Sequence, residues 1–174
     1  MIDDRKIEEV LEKIWTVGEE TGDVKTSAIQ EKLGIDPQNN LLNDIKNKGF
    51  INFDNDEITL TPIGRKHSEL IIRRHRLAER LLHDVLDFSD NEYESSACQF
   101  EHFIGDDVVA SICTLLGHPN YCPHGRIIPK GECCIKTQKD IKSLISPLSE
   151  MTSGDTGKVV YIDPKLHDKF IQIS

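Results

Sequence analysis

The chain has 174 residues, of which 37% are hydrophobic and 29% are charged, and its net charge is −9. This length suits one ordinary domain or two small ones, and no apolar run reaches the roughly 18 residues that a membrane span needs. The charged start MIDDRKIEEV lacks the apolar core of a secretion signal, so the five cysteines are expected to be reduced thiols in the cytoplasm. The acidic balance argues against a protein that holds nucleic acid through a generally basic surface.

The first third of the chain predicts two helices before any strand. RKIEEVLEKIWTVGEE, residues 5–20, has the apolar spacing of an amphipathic helix. Its predicted buried face consists of Ile7, Val10, Leu11, Ile14 and Trp15. SAIQ, residues 27–30, has the form of a capping box and should open a short helix that ends at Gly34.

A third helix and a hairpin complete this region. Asp36 as the N-cap and Pro37 in the first turn predict a helix that stops at Gly49. FINF and EITLT then alternate apolar and polar residues around the turn DND, which predicts a β-hairpin. Two short helices followed by a hairpin indicate a winged helix-turn-helix over residues 1–64.

Residues 65–140 predict a helical domain. Thr61 and Pro62 should start a long helix whose buried stripe is Leu70, Leu77, Leu81 and Val85. SDNEYESSACQFEHFI and DDVVASICTLLG follow as helices separated by Gly105. These helices have more exposed apolar residues than a small monomer would leave in contact with water, so we expect a homodimer.

Residues 141–174 predict a linker followed by the start of a small β-barrel. KVVYI and KFIQIS are strand-like, and Gly154 and Gly157 precede them. A barrel needs more strands than this segment supplies, so the barrel is expected to be partial. The predicted fold class is therefore mainly α, with three segments at 1–64, 65–140 and 141–174.

Three of the predicted helices carry pairs of residues that bind metals. The first has Glu9 and Glu12 at i, i+3, and the long helix has His75 and Glu79 at i, i+4. The central helix has Cys98, Glu101 and His102 on one face, with Glu94 one turn earlier. Carboxylates, imidazoles and one thiolate suit a divalent first-row transition ion. Taken alone, Glu9 and Glu12 are also typical of a solvated acidic face, His75 and Glu79 of a surface ion pair, and Cys98 of a core cysteine.

These residues lie within a wider pattern. LTPIGRKHSELIIRRHRLAERLL, ACQFEHFI and CPHGRIIP together resemble the diphtheria toxin repressor family of metal-dependent transcription regulators. The resemblance covers about residues 5–130. It implies a winged helix, a helical dimerisation domain and an SH3-like third domain, of which PLSEMTSGDTGKVVYI would be the beginning.

The resemblance also implies two metal sites. Cys98, Glu101 and His102 fall on the main regulatory site, completed from the first helix, and His75 and Glu79 fall on the ancillary site. Glu9 stands where the iron-sensing branch has methionine, and Glu94 where it has histidine. The site is thus a hybrid of the iron-sensing and manganese-sensing branches. Cys98 favours Fe(II) and the added carboxylate favours Mn(II); Fe(II) is the expected metal, and Co(II), Ni(II) or Zn(II) should also bind in vitro.

A metal ion would then control DNA binding. Glu9 and Glu12 belong to the DNA-binding half and the other ligands to the dimer half, so a bridging ion would set the spacing of two recognition helices on palindromic DNA. The expected effect is repression of metal-homeostasis genes. The predicted DNA contacts are Lys25, Ser27, Gln38, Asn39, Asn40, Lys46 and Lys48.

The loop CPHGRIIPKGECC leaves an alternative open. Cys122, His124, Cys133 and Cys134, with His118 nearby, could form an extra zinc or iron–sulfur site, and DNA binding could then respond to oxidation or to that metal. A metalloenzyme is a further alternative, but the sequence has no HExxH motif and no glycine-rich phosphate loop. The protein is accordingly predicted not to be an enzyme and not to bind membranes.

Overall fold

The computed structural model describes residues 4–36, 38–86, 88, 96–136 and 148–157. Within these ranges the protein is mainly helical, with one two-stranded antiparallel sheet. The chain divides into two compact units, Met1–Arg74 and His75–Ser174. The three segments predicted from the sequence stay a prediction. No helix in the described part of the chain is both long enough and apolar enough to cross a membrane.

Helix α1 (Asp4–Thr21) contributes its buried residues to the core of the first unit. Its 3.6-residue periodicity turns one apolar face inward, as predicted. The prediction was wrong at Trp15, which is only half-buried and donates its indole N–H to Glu19 at 2.9 Å. The buried residues of α1 are Ile7, Val10, Leu11, Ile14 and Val17.

Helix α2 (Thr26–Leu33) is capped differently from the prediction. Lys25 is the N-cap residue and makes no side-chain cap, so Ser27 does not open a capping box. Instead the Asp56 carboxylate accepts hydrogen bonds from the Ser27 N–H at 3.2 Å and from its hydroxyl at 3.0 Å. Gly34 ends the helix in the left-handed conformation, with φ of 61°.

Helix α3 (Leu41–Asn47) begins later than predicted. The Asp36 carboxylate accepts from the Gln38 N–H at 2.8 Å, and the Asn39 side-chain carbonyl accepts from the Leu41 N–H at 2.9 Å. These short-range bonds offer the backbone an alternative to the helix, so Gln38, Asn39 and Asn40 precede α3. Pro37 lies outside the described residues.

The hairpin has strands β1 (Ile51–Asp54) and β2 (Glu57–Leu60), paired in the register Ile51↔Leu60. Its two-residue turn holds Asn55 at a positive φ of 55°, a conformation that asparagine tolerates. The predicted hairpin and its polar tip are confirmed.

Helix α4 (Pro62–Asp84) is the longest element. The Thr61 hydroxyl accepts from the Gly64 N–H at 3.0 Å, which confirms the predicted start. The predicted buried stripe was partly wrong, because Leu70 is 40% exposed whereas Leu77 is fully buried. The buried residues of α4 also include Ser68, Ile71, Ile72, Arg73, Arg76, Ala78, Glu79 and Leu82.

The arginines of α4 are used inside the protein. Arg73 and Arg76 are buried, and Arg76 donates to the Ile127 carbonyl. Arg74 forms an ion pair with Glu8 at 2.8 Å. Arg73, Arg74 and Arg76 therefore take part in packing or pairing within the protein, whereas Arg65 and Lys66 are exposed.

The second unit contains a helical stretch at residues 96–100, helix α5 (Asp106–Leu115) and helix α6 (Glu132–Lys136). Gly105 is the N-cap of α5, as the predicted interruption requires. The main buried cluster of this unit is Leu77, Ile104, Val109, Ile112, Cys113, Cys122 and Ile128. A 3₁₀ turn follows at Leu148–Glu150. The predicted strands KVVYI and KFIQIS lie outside the described residues.

Candidate metal centres

Cys98, Glu101 and His102 form the first candidate centre. The Glu101 N–H continues the helical pattern of residues 96–100 by donating to the Ala97 carbonyl at 3.0 Å. The three side chains therefore project from one side of the chain, and their ligand atoms all lie within 4.8 Å of one another. Glu94, predicted one turn earlier, lies outside the described residues.

Glu101 is the buried carboxylate of this centre, with 1% of the residue exposed. Its Oε2 lies 2.8 Å from His75 Nδ1, and its Oε1 lies 3.6 Å from His102 Nε2. Within the described ranges Oε1 accepts no hydrogen bond, which is costly for a buried carboxylate oxygen. A cation shared with Cys98 and His102 would satisfy this oxygen, so the donor set fits a divalent transition ion.

His75 connects the first centre to a second carboxylate. Its Nε2 lies 3.3 Å from Glu79 Oε1, while its Nδ1 faces Glu101. Both carboxylates are almost fully buried, and a buried carboxylate charge is costly unless a positive group compensates it. The i, i+4 spacing predicted only the pair of His75 with Glu79. The contact of His75 with Glu101, which is 26 residues away, was not predicted.

Glu79, Cys122 and His124 form the second candidate centre, with ligand atoms within 4.8 Å of one another. His124 Nδ1 lies 3.2 Å from Glu79 Oε1. Burial raises the pKa of Glu79, but hydrogen bonds and charge from His75, with the Cys122 thiol and His124, outweigh it and lower the pKa. Burial, and then the Glu79 charge, raise the pKa of Cys122. A metal ion at this centre would have to displace the thiol proton of Cys122.

The loop residues predicted to form one extra site are divided between two places. Cys122 and His124 join Glu79, whereas Cys133 and Cys134 lie beside Cys113 and His118. The interpretation of the four loop residues as one set is therefore corrected. Cys113 was missed because its helix carries no second ligand at i+3 or i+4.

Glu9 and Glu12 are half-buried residues of α1 in the first unit. Glu9 Oε1 lies 3.4 Å from Arg5 Nε on the same helix. Their role as ligands stays a prediction that rests on the resemblance.

The seven predicted DNA contacts are all exposed in the first unit. Lys25 precedes α2, and Ser27 is bonded to Asp56. Gln38, Asn39 and Asn40 precede α3, while Lys46 lies on it with Nζ 4.3 Å above the centre of the Phe53 ring. The prediction did not include Asn43 and Asn47, which are exposed on α3.

Comparison with known proteins identifies related sequences. A family model described as "Iron dependent repressor, metal binding and dimerisation domain" matches residues 61–130. The iron-dependent repressor IdeR of Mycobacterium leprae is 39% identical over 108 residues, which cover 62% of this chain and 46% of that protein. The diphtheria toxin repressor of Corynebacterium diphtheriae is 36% identical over 72 residues, which cover 41% and 32%. The chain thus spans less than half the length of these curated relatives.

Two solved structures extend the comparison. A manganese-dependent transcriptional repressor in complex with manganese is 30% identical with a TM-score of 0.65, and the match covers 96% of this chain and 78% of that one. The metal-dependent transcriptional regulator MtsR is 25% identical with a TM-score of 0.66, and the match covers 71% and 59%.

Proposed function

The chain belongs to the diphtheria toxin repressor family, and from this premise we propose that it is a DNA-binding transcriptional repressor activated by a divalent transition metal. The observation that carries the proposal is the buried Glu101 carboxylate, which lies among Cys98, His102 and His75. Among the described residues the buried Oε1 of Glu101 accepts no hydrogen bond, and a divalent transition ion would satisfy it with ligand types that suit such an ion.

The first unit supplies the proposed DNA-binding element. Helices α2 and α3 followed by the hairpin have the order of a winged helix-turn-helix, with α3 as the recognition helix. Asn40 lies just before α3 and Asn43 is exposed on it, so their amides are available to adenine edges, whereas the side-chain carbonyl of Asn39 already accepts from the Leu41 N–H. Lys25, Lys46 and Lys48 are the proposed phosphate contacts.

The metal would be held by Cys98, Glu101 and His102, with Glu9 and Glu12 as predicted ligands from α1. When bound, the ion supplies positive charge and fixed coordination. Glu101 would bind the ion through its carboxylate, and Cys98 would have to give up its proton to bind as a thiolate. A carboxylate that binds the ion has part of its negative charge neutralised. It would therefore repel the DNA phosphates less.

Fe(II) is the proposed activating metal, with Mn(II) as the competing one. The thiolate of Cys98 favours the softer Fe(II), while the carboxylates favour Mn(II). The relatives are divided in the same way, being described as iron-dependent and as manganese-dependent repressors.

A homodimer on a palindromic operator completes the proposal. Phe103 is 81% exposed and Val108 is 47% exposed in the second unit, and apolar side chains presented in this way are typical of a surface that is covered by a partner. The matching family model is described as a dimerisation domain. Two-fold symmetry in the protein would require two-fold symmetry in the operator. The segment 141–174 is proposed to comprise a linker and the start of an SH3-like domain.

Anaerobic selection from a pool of randomised duplex DNA tests the function. We expect a palindromic sequence to be enriched with Fe(II) and not with a chelator. Glu101→Gln, which removes the buried carboxylate, should abolish the enrichment, and Asp107→Asn, an exposed change in the same unit, should preserve it. Enrichment that is equal with and without metal would overturn metal control, and enrichment only after oxidation would favour the cysteine-based switch.

A further inference from the structure

Four metal-binding side chains outside both candidate centres meet in the second unit. Their ligand atoms all lie within 4.8 Å of one another. Cys113 Sγ lies 3.4 Å from His118 Nδ1 and 3.6 Å from Cys134 Sγ, and the Cys133 and Cys134 sulfurs are 3.9 Å apart. Cys113 is fully buried, and the other three are half-buried. The proposed repressor mechanism uses none of these residues.

The end of α5 brings His118 to Cys113. Gly117 and His118 both have positive φ, of 71° and 55°, so the chain reverses directly after the helix. The reversal is fixed by a hydrogen bond from the His118 N–H to the Cys113 carbonyl at 2.8 Å, as in a helix C-cap. A positive φ is uncommon for histidine, and here it places the ring next to the Cys113 sulfur.

Helix α6 supplies the other two sulfurs. Cys133 and Cys134 are in its first turn, and the Cys134 N–H donates to the Gly131 carbonyl at 3.0 Å. Neighbouring residues on a helix generally point in different directions, which is an objection to their sharing one ion. The 3.9 Å separation of the two sulfurs removes that objection.

The spacing matches a tetrahedral zinc ion. Bonds of 2.3 Å to sulfur and 2.0–2.1 Å to nitrogen put the ligand atoms of such a site about 3.8 Å apart for two sulfurs and about 3.5 Å apart for sulfur and nitrogen. The observed separations are 3.6 and 3.9 Å between sulfurs and 3.4 Å between sulfur and nitrogen. Two ligands on opposite sides of one ion are at most about 4.6 Å apart with these bond lengths. A multinuclear cluster would spread its cysteines around several metal atoms.

We propose that Cys113, His118, Cys133 and Cys134 hold a structural zinc ion that is separate from the regulatory metal. Three thiolates and one imidazole form a closed set of four ligands, which is typical of structural zinc and leaves no position for a substrate. The thiols lose their protons when zinc binds, and the ion takes the place of the weak thiol and imidazole hydrogen bonds.

The zinc would hold both ends of the loop that supplies the second candidate centre. Residues 119–132 lie between His118 and Cys133, and they carry Cys122 and His124. The loop is already tight, with the Ile128 N–H bonded to the Asn120 carbonyl at 2.9 Å and the Cys122 N–H bonded to the Arg126 carbonyl at 2.9 Å. Fixing its two ends would keep Cys122 and His124 beside Glu79. Zinc loss should therefore weaken metal binding at Glu79 more than at Cys98.

Zinc retention tests the proposal and needs no DNA. The full chain is purified without added metal, dialysed against a chelator and analysed for bound metal. We expect about one zinc per chain in the wild type and its loss in Cys113→Ser and Cys134→Ser. The matched controls are Cys122→Ser in the same loop and Cys98→Ser in the first centre, and both should retain the zinc.

A second measurement uses only the wild type, because the serine variants could fail to fold. Alkylation of each cysteine is mapped before and after removal of zinc by a strong chelator under denaturant-free conditions. Cys133 and Cys134 should become reactive only when zinc is removed, while the reactivity of half-buried Cys98 should stay the same. Absence of retained zinc, unchanged reactivity at Cys133 and Cys134, or iron–sulfur absorbance in place of zinc would each overturn the proposal.

Discussion

Replacement of Glu101 by glutamine removes one buried charge and keeps the shape of the side chain. Glu101 is 1% exposed and lies 2.8 Å from His75 Nδ1, where an amide can still form a hydrogen bond. Without metal, the variant is therefore expected to fold and to melt within a few degrees of the wild type. The change should appear only when metal is added.

The size of that change follows from linkage. Metal at a hundred times its Kd stabilises the native state by about 2.7 kcal/mol, which raises Tm by about 5 to 10 °C for a chain of this size. Loss of a ligand should weaken binding at least about 100-fold, since even outer partners of ligands cost 10–100-fold. At the same metal concentration the stabilisation falls to about 0.4 kcal/mol, a shift of only about 1 °C.

Anaerobic thermal unfolding with a series of Mn(II) or Fe(II) concentrations measures both shifts. Asp107→Asn is the matched control, because it removes an exposed carboxylate from the first turn of α5. Its metal-dependent shift should equal that of the wild type. If Glu101→Gln keeps the full shift, Glu101 is not a ligand and the reasoning about its buried oxygen fails.

Three further predictions concern the first unit, which we propose to bind DNA. Gly64→Ala should destabilise it by about 1–3 kcal/mol or more, because the added Cβ would lie 1.8 Å from the Phe50 carbonyl oxygen. Gly18→Ala, whose Cβ meets nothing closer than 3.4 Å, should instead stabilise this unit by about 0.5–1 kcal/mol. Urea unfolding followed by Trp15 fluorescence compares the two variants. Equal effects on stability would refute the steric argument. Asp56→Ala should lower the free energy of unfolding by about 1–2 kcal/mol, because it removes both hydrogen bonds to Ser27. Ser27→Ala removes only the hydroxyl bond and should lower the free energy of unfolding by about half as much in the same assay. Equal effects of the two variants would mean that the bond to the backbone N–H contributes nothing. Lys48→Ala should weaken binding to all duplexes alike and should reduce the slope of log affinity against log salt concentration by about 1. Asn40→Ala should instead relax the sequence preference at one base pair. A loss of sequence preference in Lys48→Ala would contradict these roles.

Local sequence signals predicted the elements of the first unit but not all of their caps. The turn at Asn55 and the start of α4 at Thr61 were evident, because turn residues and hydroxyl caps act on immediate neighbours. The cap of α2 was not evident, because Asp56 is 29 residues from Ser27 in sequence. Because Asp56 belongs to the hairpin turn, the residues next to α2 in sequence carry no signal of this cap.

The candidate centres show the same limit. Cys98, Glu101 and His102 lie within one helical turn, so their spacing alone predicted that they share a face. The contact of His75 with Glu101 and that of Glu79 with Cys122 depend on how separate elements pack. Cys113 gave no signal, because a single buried cysteine in an apolar helix is usually a core residue.

An equilibrium DNA-binding titration, with fluorescence anisotropy as the readout, tests the central claim most directly. The duplex recovered by selection is titrated with wild-type protein under anaerobic conditions, once with Fe(II) and once with a chelator. Metal control of DNA binding predicts at least a tenfold tighter Kd with Fe(II), and predicts that Glu101→Gln binds in both conditions as the wild type does with the chelator. Equal affinity of the wild type with and without metal would contradict the account.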